Sequence, residues 1–90
     1  MMTEQEQMNR FNAAVTELYS LQRKQIHRHT DKGGWDEMPR QDLSAQSTYQ
    51  AMLAFNYVAI GDMEKARKHF ADAANYLVLA FDRIREEGEA

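Results

Sequence analysis

The chain has no cysteine, one proline and four glycines in 90 residues. The missing thiol excludes disulfides, thiolate zinc sites and a cysteine nucleophile, and it fits a reducing compartment, so a cytoplasmic location is expected. Few β-branched residues, no alternating apolar run and no Asn-Gly or Asp-Gly pair leave nothing to build strands from. No stretch of about 20 apolar residues occurs, which excludes a membrane-spanning helix. No basic segment leads into an apolar run at the N-terminus, so no signal peptide is expected. There is no surplus of positive charge either. A formal net charge of −3 argues against a dedicated nucleic-acid binder. One absence is local: between Asp42 and Asp62 there is no charged residue at all.

What is present is rich in good helix formers, and the expected class is all-α. Three helices are expected, over residues of about 3–28, 42–60 and 62–87, with a loop over 29–41, making one three-helix, mostly antiparallel domain. Thr3 and Glu6 fit a capping box at the first N-terminus. Met8, Phe11, Val15, Leu18 and Gln22 then recur at steps of three and four, the mark of an amphipathic helix. Its last turns carry Arg23, Lys24, His27 and Arg28, which complement a helix C-terminus whatever else they do. Gly61 stops the second helix and Asp62 caps the third. Met63, Ala66, Phe70, Ala73, Leu77, Phe81 (or Ala80) and Ile84 form the third helix's stripe, with Lys65, Arg67, Lys68 and His69 making its first half basic. The second helix is apolar nearly all round, as helices buried on several sides are. Neighbours within so short a chain do not cover all of it, so a homo-oligomer formed through this helix is expected. The alternative is a partly exposed helix softened by its serines, glutamines and Asn56.

The irregular stretch between helices one and two holds the only tryptophan, the only proline and two of the glycines. Gly33 and Gly34 free the backbone for close approach of a ligand. With Arg28, Lys32 and, from helix three, Arg67, they make a candidate phosphate-binding set. Trp35 either stacks on a base or plugs the end of the bundle. Neither the histidine spacing nor any catalytic motif points to a zinc site or a nucleophile. Magnesium needs several carboxylates on facing helices. Helix two offers none and the middle of helix three offers Asp72 alone, so no metal or other cofactor is expected, with Asp72 a ligand only if a metal binds after all.

His29-Thr30-Asp31-Lys32-Gly33-Gly34-Trp35 resembles the His-Lys-Gly-Gly-Trp loop of MazG-like nucleotide pyrophosphohydrolases, the small phage and bacterial type associated with purine deoxynucleoside triphosphates. Ala71-Asp72-Ala73-Ala74-Asn75-Tyr76 is similar to that family's Ala-Asp-Val-Ala-Asn-Phe block. The resemblance spans roughly residues 22–84. It implies an all-α fold, homo-oligomers with sites near subunit contacts, and magnesium-assisted attack of water on a nucleotide's phosphate chain. The family's metal is held by Glu-Glu-x-x-Glu on one helix and Glu-x-x-Asp on the next. Here the first motif falls near Tyr49, Gln50 and Leu53, and the second keeps Asp72 but has His69 three residues earlier. The resemblance therefore implies a degenerate member that binds a nucleotide or a nucleotide second messenger without cleaving it. Arg28 and Lys32 then meet phosphate, and Trp35 and Asn75 the base. The other expectation is a protein-interaction module using the charge-free helix two. A weak magnesium-dependent hydrolase ranks third.

Overall fold

The computed structural model describes residues 1–30 and 35–89, and the side chains of all of these but 27–30 and 89. Three helices account for most of them: α1 (Glu4–Thr30), α2 (Arg40–Ala59) and α3 (Met63–Glu89), with one 3-10 turn at Trp35–Glu37. The class is all-α, and no helix of the described residues is long and apolar enough to cross a membrane.

The ends follow local chemistry. The Glu6 amide donates to the Thr3 hydroxyl at 3.1 Å, and that hydroxyl donates to the Glu6 carboxylate at 3.2 Å. Pro39 stands just before α2 as its N-cap. Its extended backbone (φ −61°, ψ 153°) turns the carbonyl to accept the Leu43 amide at 3.1 Å. At the other end Gly61 has φ +83°. Its amide donates to Val58 O at 3.1 Å and that of Asp62 to Tyr57 O at 2.9 Å, the paired bonds of a Schellman stop. Asp62 then accepts the Lys65 amide at 3.2 Å and opens α3. A Cβ at Gly61 meets nothing within 4 Å, so the conformation alone requires glycine there. Gly61→Ala is expected to lower stability by about 1–2 kcal/mol, measured by denaturant unfolding; an unchanged midpoint would refute the left-handed stop. The third helix, expected to end at about residue 87, continues through Gly88.

α3 is the central helix, and both others run antiparallel to it. From α2, Arg40 pairs with Glu87 at 2.6 Å, the Ser47 hydroxyl donates to Ala73 O at 3.0 Å, and Gln50 meets His69. From α1, Gln22 meets Asn75 and Gln25 meets Asp72. The buried apolar residues are Leu43, Ala54, Ala66, Ala71, Ala73 and Ala80, so alanine dominates the core. Ser47 and Ala54 are seven apart on α2, and Ala66, Ala73 and Ala80 are seven apart on α3. Small residues repeating at that interval keep one close seam between two helices.

The bulky stripes do not lie in that seam. Leu77, Phe81 and Ile84 of α3 stay more than half exposed, as does Phe11 of α1, and Phe70, Met8 and Val15 are only partly covered. α1 and α2 instead hold the more polar side of α3, with Asp72 and Asn75 buried between them. The physical reason is the alanine heptad, which fixes α2 beside the stripe and leaves its large side chains to one side.

Candidate functional site

The site is built on successive turns of α3. Asn75 is buried. Its side-chain amide donates to the Gln22 backbone carbonyl at 3.0 Å, and its oxygen accepts the Gln22 side-chain amide at 3.2 Å. One turn on, Leu79 lines two clefts at once. One further turn on, the Arg83 guanidinium donates to Met38 O at 2.8 Å and Asp36 O at 2.9 Å, which pins the Trp35–Glu37 turn against α3.

The first cleft, about 310 Å³, lies between α1 and α3 and is lined by Tyr19, Gln22, Arg23 and Ile26 opposite Asn75, Val78 and Leu79. That is the lower end of the size range for small-ligand pockets. Arg23 donates to the Tyr19 hydroxyl at 3.2 Å, and its guanidinium carbon lies 5.9 Å from the centre of the Tyr19 ring. The second cleft, about 210 Å³, has half-buried Trp35 with Leu43 and Leu79, and carries the acids Asp36, Asp82 and Glu86 beside Arg83. Both Arg83 terminal nitrogens are engaged by carbonyls, so this cleft is poorly suited to phosphate. Its apolar wall suits a ring.

Trp35 and Asn75 are thus brought to neighbouring clefts joined by Leu79. Arg67 does not join them; it lines a separate groove with Glu17, Phe55 and Phe70. The Arg28 side chain and Lys32, Gly33 and Gly34 lie outside the described residues. Sequence reasoning missed Tyr19, Arg23 and Leu79. It also read Gln22 as part of an apolar stripe, although an amide there signals a polar partner across the interface.

The residues that would hold magnesium do not fit it. Gln50 and His69, two positions where the resemblance implies acids, are hydrogen-bonded to each other at 2.6 Å. The His69 ring stacks on Tyr57, with centroids 5.2 Å apart and 9° between planes. Asp72 is buried and accepts the Gln25 side-chain amide at 3.4 Å. Among the described residues no three histidines or acids group to hold a metal.

Burial, and then the Asp72 carboxylate, push the Tyr76 hydroxyl above its usual value near 10. Because the folded value is the higher, this contribution to stability is complete below about pH 10 and is lost as pH rises through the folded value. Ultraviolet titration of the four tyrosines is expected to show one ionising above the rest. In Asp72→Asn that tyrosine should move only part of the way back, since the smaller cause has gone. Four tyrosines titrating together would refute this placement. Compared with family models, with curated proteins and with solved structures, the chain matches none of them.

Proposed function

We propose that this chain is a non-catalytic, MazG-like protein of the cytoplasm that binds a nucleotide or nucleotide second messenger and releases it intact. The cleft between α1 and α3 carries the reading. It is a mainly apolar cleft with an aromatic ring on its wall and a guanidinium at its edge, in a volume suited to part of a nucleotide. It lies near the C-terminal end of α1, which leads directly into Lys32-Gly33-Gly34. In this reading phosphate meets Arg28, Lys32 and the glycine amides. The base enters between Tyr19 and the Trp35 cleft. Binding without cleavage is the chemistry left when carboxylates are replaced by a Gln50–His69 pair, because the one carboxylate that remains, Asp72, is too little charge to hold a divalent ion and activate water. Sequestration needs nothing more. The protein acts as a homo-oligomer, a reading supported by the apolar side chains it leaves exposed.

Melting temperatures measured against a panel of purine and pyrimidine nucleotides, linear and cyclic, test this. At least one class is expected to raise the transition, and Arg23→Ala and Lys32→Ala are each expected to remove the rise. No response across the panel would sink the proposal.

A second reading rests on a different observation. Tyr49 and Met52 of α2 and Ile60 just after it, all in the charge-free stretch 43–60, are more than half exposed. In that reading α2 docks another macromolecule. Met52→Glu should then abolish the partnership and leave the nucleotide response unchanged.

A further inference from the structure

We infer that the open face of α1 and α3 is a dimerisation surface, in which each copy lays the first half of its α1 into the other's groove. This deepens only the oligomeric part of the reading above and moves the contact from the second helix to the first and third.

The first half of α1 buries none of its residues among the described ones. Every residue from Met1 to Glu17 is exposed, although Met8, Phe11 and Val15 repeat as one apolar face. A face of that kind is what an amphipathic helix buries. The groove it fits lies in the same chain. Between α1 and α2, above α3, lies an opening of about 550 Å³, with Ala73 and Ala74 as floor and Leu18, Phe55, Phe70 and Leu77 as walls. Small residues below and large ones beside make a seat for a helix. The exposed stripe then continues it towards Phe81 and Ile84.

The areas agree. The chain exposes 6922 Å², whereas a compact monomer of 10.5 kDa exposes about 5400 Å². The excess is about 1500 Å², and a stable interface takes about 800 Å² from each partner. The radius of gyration is 15.0 Å, against about 12 Å for a compact domain of this length. Two chains sharing the groove remove that surplus.

Topology selects a second copy as the occupant. The resident α1 is antiparallel to α3. An incoming α1 that runs parallel to α3 is therefore antiparallel to the resident one, the relation given by a twofold axis perpendicular to the helices, so the same contact forms twice. The charges run in matching order. On the arm, Glu4 and Glu6 lead and Arg10 follows. Along the groove, Arg67 comes first and Glu17 lies further on.

Light scattering at micromolar concentration tests this. The wild-type chain is expected at twice 10.5 kDa. Phe11→Glu and Leu77→Glu, at positions 61% and 60% exposed, are each expected to give the single-chain mass with helical circular dichroism kept. Met52→Glu, on the outer face of α2, should leave the dimer intact. Because the chain has no cysteine of its own, a mixture of Phe11→Cys and Leu77→Cys chains under mild oxidation should give the mixed disulfide dimer above its statistical share. A wild-type monomer overturns the inference, and so does a dimer indifferent to Phe11→Glu. Dissociation by Met52→Glu alone puts the contact on α2 and overturns it too. None of these outcomes bears on the Arg23 and Lys32 nucleotide response, which tests the binding reading separately.

Discussion

Leu43→Ala is expected to destabilise the protein by about 2–5 kcal/mol, the range for deleting a large buried aliphatic side chain. A domain of this size holds about 5–15 kcal/mol in all, so the loss is a large share of the total. Among the described residues Leu43 is the one large side chain with 0% exposure, and the other buried apolar residues are alanines. Leu43 also lines the cleft of Trp35. Its truncation therefore loosens the tryptophan's seat as well as the start of α2, and Trp35 emission should shift towards that of the exposed indole before global unfolding. Denaturant unfolding at fixed protein concentration checks the size of the effect. A loss under about 1 kcal/mol would mean the site collapses easily and that Leu43 is not the anchor described.

Ala54→Phe is expected to cost about 1–3 kcal/mol by the opposite route, overpacking. Ala54 has 0% exposure and belongs to the heptad that brings α2 onto Ala66, Ala73 and Ala80. A ring there separates the two helices and draws the Ser47 hydroxyl away from Ala73 O. The buried serine and carbonyl then lose their shared hydrogen bond, which adds to the strain. The same measurement applies. Tolerance of Phe at 54 would show that the two helices do not approach closely.

Much of the fold is legible in the residues. Thr3 with Glu6, and Gly61 with Asp62, act through bonds to backbone only three to five residues away, and such signals survive any tertiary arrangement. The misreading concerns which face is inner. The bulkiest residues of α3 look like a core stripe, yet Phe81 is 67% exposed while the alanines beside it are buried. Alanine is both the best helix former and a close-packing residue, so its seven-residue spacing passes unnoticed beside phenylalanines.

The candidate site is legible in the same uneven way. Trp35 and Asn75 stand out by type, and they do line clefts joined by Leu79. Arg67 stands out by charge, but it lies eight residues from Asn75, about 80° round a helix of 3.6 residues per turn, and so on another side of α3. Tyr19 and Arg23 read as ordinary helix decoration until the antiparallel register sets Gln22 against Asn75. That register is long-range information, which no local pattern in α1 contains.

Trp35 is the only tryptophan, and it is half-buried at the candidate site. Its fluorescence therefore reports on the central claim directly. The measurement is an equilibrium titration with each nucleotide in the presence of magnesium, followed by analysis of the recovered nucleotide. Saturable change in Trp35 emission for at least one nucleotide, with that nucleotide recovered intact, is the predicted result. Emission that stays flat for every nucleotide, or a phosphate chain found cleaved, would contradict it.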